Sequence, residues 1–287
     1  MSHSEPSVRG PFERPAYSFE FDERSLQWIG DDEANPLNRI ARIVTDGARV
    51  LDVGAGNGVL ARLLKFQARG CIIDGVEPDP AAQQAAQSHY RSLFCGTVDQ
   101  FVAAREGDAE LYDFIVMADV MEHIANPMPT LEQLKALLAP EGRIVISTPN
   151  VAFASVRLAL MNGQFDYVDS GILERTHLRF YTLKSLRTLF EAVGLHAHAQ
   201  FHCLRDPCRT EIAVGQFPFA SLILRILARD ELAKVYQFLF VLGTRRPKAV
   251  MQQDLGVEHG QGRWQGLLRR ALGKARRCLA APRGVSR

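Results

Sequence analysis

Between residues 49 and 150, short runs rich in β-branched residues alternate with stretches of helical period, and no other feature restricts the fold as tightly. "RVLDVGAG" (49–56), "CIIDGVEP" (71–78), a short run near 93–96, "DFIVMAD" (113–119) and "GRIVISTPN" (142–150) read as strands. "GVLARLLKFQA" (58–68), "PAAQQAAQSHYRS" (80–92), a segment near 98–104 and "MPTLEQLKALLA" (128–139) read as helices. Strands separated by helices pair in parallel, with the crossovers covering both faces of the sheet. The expected class is α/β with a Rossmann-like, mostly parallel sheet. In such sheets ligands bind outside the carboxyl ends of the strands, so the residues that end a strand carry the functional reading.

The rest of the chain divides around this core. Residues 1–46 are a lead-in: 1–16 are polar with three prolines and are expected to be disordered, and a helix is expected near 35–45. Residues 47–150 form the core, 151–247 a helical cap with the acceptor region and the remaining strands, and 248–287 a tail. The composition, 47% hydrophobic and 23% charged, suits one large globular domain with additions. No apolar run reaches the roughly 18–20 residues that cross a bilayer. The longest, "FPFASLILRILA" (217–228), is short and carries Arg225. The start, "MSHSEPSVRG", has no apolar centre and does not read as a secretory signal. Cysteines 71, 95, 203, 208 and 278 form no C-x-x-C pair and read as reduced thiols of a cytoplasmic protein. From Arg263 onward there are eight Arg or Lys and no acid, which leaves −6 on residues 1–262 of a chain whose net charge is +2. Trp264, Leu267, Leu268, Ala271, Leu272, Ala275 and Leu279 recur there at helical spacing. A basic amphipathic helix of this kind could touch an anionic membrane from the cytoplasmic side. The acidic body without a basic stripe argues against nucleic acid.

Two strand ends stand out. In "LDVGAGNG", Gly54, Gly56 and Gly58 permit a sharp turn into a helix and a close approach of backbone to ligand. A dinucleotide fingerprint wants G-x-G-x-x-G, but here the third glycine comes one residue early and Val59 takes its place, which weakens an NAD-binding oxidoreductase reading. Glu77, followed by Pro78, ends the second strand 19 residues past Gly58, where an acid can accept hydrogen bonds from both hydroxyls of an adenosine ribose. Farther on, "MEHI" offers His123, either packed at a helix start or pointed into a site, beside a structural Glu122. "LERTHLRFYT" (173–182) sets Arg175, His177 and Arg179 on alternate positions ahead of Phe180 and Tyr181, unlike a buried strand or a plain surface loop. No clustered acids stand at metal-ligand spacing, so no metal is expected.

"VLDVGAGNG", "GVEPD" and "DFIVMADVMEHI" together resemble the class I S-adenosylmethionine (SAM) methyltransferases over roughly residues 45–150. The resemblance implies SAM as cofactor and S-adenosylhomocysteine as product. It implies that Asp52, Gly54, Ala55, Gly56 and Gly58 face the methionine end, and that Glu77 and Pro78 lie at the ribose. Thr97 and Val98 would flank the adenine, with Asp99 as a substitute contact, and Met117, Ala118 and Asp119 would lie beside the sulfonium. The segment 163–182 is similar to the cap of ubiquinone-pathway O-methyltransferases and of methyltransferases associated with bacterial surface polysaccharides. That similarity puts Thr176, His177 and Phe180 over the methyl group, and "YQFLFVLGTR" as the final, antiparallel strand. A histidine can take the proton of an acceptor hydroxyl, so His177 is the first candidate base and His123 the second. Arg175 or Arg179 would bind an acidic part of the acceptor, or else tie the cap to the body; Tyr181 completes the acceptor wall. The expected activity is O-methylation of a sugar or glycolipid of surface-polysaccharide synthesis, with a quinone or small phenol as alternative. A NAD-binding oxidoreductase and a non-catalytic scaffold are the readings of another class. Residues 201–236 are apolar enough for an acceptor pocket or a dimer face.

Overall fold

The computed structural model describes residues 22–105 and 110–255. The proline-rich start and the basic stretch from Arg263 onward, with the expectations attached to them, lie outside these residues.

Among the described residues eight strands form one sheet: β1 (Arg49–Val53), β2 (Ile72–Glu77), β3 (Ser92–Cys95), β4 (Tyr112–Ala118), β5 (Leu138–Pro149), β6 (His196–Leu204), β7 (Val235–Gly243) and β8 (Met251–Leu255). Their order is β3-β2-β1-β4-β5-β7-β6-β8. β7 runs antiparallel to β5 and to β6, and the other pairings are parallel. The antiparallel strand is therefore where the sequence put it, but it lies inside the sheet and is not the last strand. The division at 247 also falls too early. Met251–Leu255 extend the sheet along β6, and Asp254 Oδ1 lies 3.0 Å from His202 Nδ1.

The helices are α1 (Glu23–Asp31), α2 (Pro36–Ile43), α3 (Val59–Phe66), α4 (Pro80–Ala86), α5 (Val98–Ala103), α6 (Pro127–Ala136), α7 (Ala154–Met161), α8 (Leu183–Ala192) and α9 (Ala220–Leu227). Their starts follow capping chemistry. Asp79 accepts from Ala81 N and Ala82 N ahead of a proline at the first turn of α4, and Thr182 and Ser185 form a reciprocal box at α8. The α1–α3 side of the sheet buries Leu26, Ile29, Ile40, Leu60 and Leu63 against Val50, Val116 and Phe201. The opposite side buries Leu131 and Leu134 of α6 and Leu186 and Phe190 of α8 against Ile115, Ile146 and Phe240. Covering both faces makes the strands of the middle mostly apolar, and β7 is buried at all nine positions. Two insertions build the cap: 150–182 between β5 and α8, and 205–234 between β6 and β7.

Register fixes one small residue. Gly75 of β2 lies opposite Asp52 of β1. A Cβ there would stand 2.5 Å from Leu93 Cδ1 and 3.0 Å from Tyr90 Cε1. The missing side chain lets the Tyr90 ring lie on the sheet and its hydroxyl donate to Asp52 Oδ2 at 2.7 Å. Gly75→Val is expected to cost about 1–3 kcal/mol through overpacking. An unchanged midpoint in urea denaturation would contradict this packing.

Candidate active site

The floor of the site is the turn from β1 into α3. Gly54, Gly56 and Gly58 all hold positive φ, at +71°, +53° and +78°, a region where a side chain is strained. At Gly54 a Cβ would also come 2.6 Å from Val120 Cγ2. At Gly56 a Cβ would meet nothing within 4 Å, so this stretch of backbone faces open space. Glu77 fastens the turn: Gly56 N donates to its Oε2 at 2.7 Å and Asp79 N to its Oε1 at 2.8 Å. Each carboxylate oxygen keeps a lone pair for a further donor. Pro78 leads directly into the Asp79 cap of α4. Asp52 is buried beneath the turn beside Ala55. Burial pushes its carboxyl up to about 7; the Tyr90 hydroxyl opposes the rise and the charge of Glu77 adds to it.

The neighbouring strand ends divide into open and buried groups. Thr97 spends its hydroxyl on Gln100 N in the capping box of α5, Val98 is buried, and Asp99 is exposed in the first turn. Met117 is fully buried among Leu131 and Ile146, and belongs to the core, not to the wall of a site. Ala118 is half-buried and Asp119 bends the chain with φ +55°. Asp119 is exposed, and its carboxyl accepts from Ser147 Oγ at 2.9 Å and from Gln237 Nε2. Desolvation raises its pKa, and those two donors hold the rise back.

The cap is fastened to the segment after β4. The carbonyl of Glu122 accepts from Leu178 N at 2.8 Å and Arg179 N at 3.0 Å. The Arg179 guanidinium donates through Nε and Nη2 to the Ala125 carbonyl at 2.8 and 2.5 Å. Arg175 pairs with Asp169 at 2.6 Å. Both arginines thus have partners within the cap or at the rim it meets. Tyr181 is buried against the core with its hydroxyl 3.5 Å from Met121 O, so it does not line an acceptor wall.

His177 is buried and its Nδ1 lies 2.9 Å from the Ile172 carbonyl. A carbonyl only accepts, so that nitrogen carries the proton and Nε2 carries the lone pair. Burial pushes the pKa of His177 below 6.5; the Ile172 carbonyl opposes this, and His123 adds to it. His123 Nδ1 lies 3.2 Å from both the carbonyl and the hydroxyl of Thr176, whose Oγ1 donates to Glu174 Oε1 at 2.5 Å. The two imidazoles meet edge to face with centroids 4.8 Å apart. The sequence reading missed Glu174, and nothing in its neighbourhood marks it beyond two residues' spacing from Thr176.

Glu122 is buried with Oε2 accepting from Thr148 Oγ1 at 3.0 Å and Oε1 without a partner among the described residues. Burial, with Asp119 nearby, pushes its pKa well above the ordinary carboxyl range. Glu122, His123 and His177 each offer one ligand atom, all within 4.8 Å of one another, so the three could hold a metal ion. Spacing in the sequence does not show this trio, because the cap supplies the third group from far along the chain.

A row of rings leads from this cluster to the surface. Centroids are 6.2 Å apart for His177 and Phe180, 5.4 Å for Phe180 and Phe165, and 5.5 Å for Phe165 and Tyr167. Phe165 and Tyr167 are exposed. Neither carried a signal in the sequence, where they lie in a polar loop.

A family model described as a methyltransferase domain matches residues 23–200. The chain belongs to the class I SAM-dependent methyltransferases. It is 30% identical over 187 residues to a protein of Nitrobacter winogradskyi named ubiquinone biosynthesis O-methyltransferase, covering 63% of this chain and 70% of that one. It is 25% identical over 178 residues to a Histophilus somni protein of the same name, covering 58% and 72%. Among solved structures, the plantazolicin methyltransferase BamL, bound to S-adenosylhomocysteine, superposes with a TM-score of 0.51 at 14% identity, over 78% of this chain and 87% of that one. A SAM-dependent methyltransferase of Thermotoga maritima gives 0.50 at 13% identity, over 77% and 94%. These two share the fold. SAM is the cofactor of this methyltransferase, and the residues present fit it: a glycine turn open at Gly56 and a carboxylate at Glu77 with lone pairs to spare.

The buried Asp52 gives the methyltransferase a pH signature. Its pKa rises from 3.8 to about 7 on folding, so folding takes up a proton within that window. Its contribution to stability is full below the lower value and is lost as pH rises through the upper one. Asp52→Asn, which cannot ionise, is expected to gain on the parent protein across that window by on the order of a few kcal/mol. Denaturant midpoints followed against pH check this, and a constant difference would contradict it.

Proposed function

We propose that the protein O-methylates a phenolic or quinone-precursor hydroxyl, with the acceptor entering along the row Tyr167, Phe165 and Phe180 and presenting its oxygen to His177. The observation that carries this reading is the row of rings ending on an imidazole whose Nδ1 proton is already committed to Ile172 O. A planar aromatic acceptor stacks against such rings by edge or face. The names of the relatives, from ubiquinone biosynthesis, support the same class. The sugar or glycolipid acceptor expected from the sequence draws no support from the relatives or from the cap, whose arginines are taken up internally.

Bound SAM supplies an electrophilic methyl group on a sulfonium. In the proposed site the backbone at Gly54 to Gly58 and the Asp52 carboxyl would border the methionine end, and Glu77 would hold the ribose. Val98, Asp99 and Thr97 would lie toward the adenine, with the Thr97 hydroxyl already used as a cap. Ala118 and Asp119 would lie near the transferred group. The acceptor oxygen would gain the methyl carbon as the bond from that carbon to the sulfonium sulfur breaks and S-adenosylhomocysteine leaves, and the hydroxyl proton would pass to His177 Nε2, which the buried, singly protonated imidazole keeps ready at neutral pH. His123, fixed by Thr176 and Glu174, sets the ring of His177 from the side and is the second candidate for the proton.

The test uses SAM labelled on its methyl group with catechol and a free hexose as competing acceptors. Label is expected on catechol, and His177→Ala is expected to lower that turnover by on the order of 10²–10⁴-fold. Full turnover in the variant would end the role as base, and label on the hexose alone would end the phenolic reading. In a separate titration, Glu77→Ala is expected to weaken S-adenosylhomocysteine binding by about tenfold or more through the lost ribose acceptor; unchanged affinity would remove Glu77 from the cofactor site.

A further inference from the structure

Helix α9 is apolar on two sides. Its inner side, Leu224 and Leu227, packs with Leu158 of α7 and with Phe217 inside the cap. Its outer side is bare: Phe219 at the helix start is 77% exposed, Leu222 54% and Ile226 58%. A soluble surface normally scatters such side chains singly, and a cluster of them marks a place of contact. Arg225 on the helix and Arg229 in the turn just past its end are exposed and enter no ion pair among the described residues. The acid at the end of the helix, Asp230, is taken by Arg157 of α7 at 2.7 Å. At its far end α7, packed beside α9, adds the exposed Leu160 and Met161.

We propose that the outer side of α9 docks on the surface of an anionic lipid bilayer. Phe219, Leu222 and Ile226 would enter the boundary between headgroups and acyl chains, and Arg225 and Arg229 would meet lipid phosphates. No helix among the described residues is long and apolar enough to cross a membrane. At ~1.5 Å per residue α9 spans only ~12 Å, so it lies in the plane of the interface. Charge decides between a bilayer and a second copy of the chain. A two-fold contact through this face would set Arg225 and Arg229 of one copy against the same residues of the other, whereas a phosphate surface complements them. The docking stands apart from the phenolic reading, since it needs no acceptor. It also differs from the amphipathic tail expected after Arg263, because it places the contact on the folded cap.

The experiment is sedimentation of the full chain with vesicles of phosphatidylcholine alone and of phosphatidylcholine with an equal amount of phosphatidylglycerol. The parent protein is expected to sediment with the mixed vesicles. The triple variant Phe219→Ser, Leu222→Ser, Ile226→Ser is expected to lose on the order of a hundredfold in partitioning. Arg225→Gln with Arg229→Gln is expected to lose about fivefold per charge and most of the preference for phosphatidylglycerol. All five positions are exposed, so both variants should keep the parent's melting temperature and its shift with S-adenosylhomocysteine. The proposal is overturned if the parent ignores both vesicles or if the folded triple variant sediments like the parent. It is equally overturned if size-exclusion chromatography shows a dimer that the triple variant dissolves while vesicle binding is unaffected.

Discussion

One backbone carbonyl governs how the two halves of the site meet. The oxygen of Glu122, just past β4, takes the amides of Leu178 and Arg179, and so clamps a cap segment from beyond β5 onto the rim of the sheet. Everything at the centre follows from that clamp. Thr176 reaches His123, His177 lies edge-on to it, and Arg179 closes on the Ala125 carbonyl next door. The side chain of the same glutamate is buried beneath, with Thr148 as its donor. A buried carbonyl left without partners would be costly, so the clamp is also what lets this irregular stretch be buried at all.

The cofactor half obeys a different constraint, which is space. Gly54 stays bare because Val120 occupies the place of a side chain, and Gly75 stays bare because Tyr90 lies across it. Tyr90 in turn supplies the hydroxyl that makes a buried Asp52 tolerable. Acids are concentrated at the strand ends, at Asp52, Glu77, Asp119 and Glu122, and each is met by hydrogen-bond donors from the backbone or a neighbouring side chain. Such an arrangement concentrates ionisable groups at the carboxyl ends of the strands, and desolvation moves several of them from their ordinary pKa values.

What was legible in the sequence was local. The glycine turn, Glu77 at the end of β2 and the alternation of strands and helices are written within a few residues of one another, so period and spacing reveal them. The apposition of His123 and His177 is not: it joins residues 54 positions apart, through backbone bonds that carry no side-chain signature. The metal-capable trio was missed for the same reason. β6 was obscured by its histidines at 196, 198 and 202, which sit on strand positions that a simple apolar pattern would reject. β8 was lost to the charge pattern of the tail, since four of its five residues are exposed and only Leu255 is buried. Met117 was placed in the site because it lies at a strand end, and Tyr181 because it stands beside Phe180 in the cap segment; burial puts both in the core.

The central claim is that the cap delivers to the strand ends an imidazole with its proton fixed on Nδ1 and its lone pair on Nε2. Nitrogen-15 NMR of the histidine-labelled protein, with His177 assigned through His177→Gln, reads this directly. A protonated Nδ1 and a bare Nε2 for His177 at neutral pH are the predicted result. The opposite tautomer, or a doubly protonated ring, would contradict both the Ile172 contact and the role built on it.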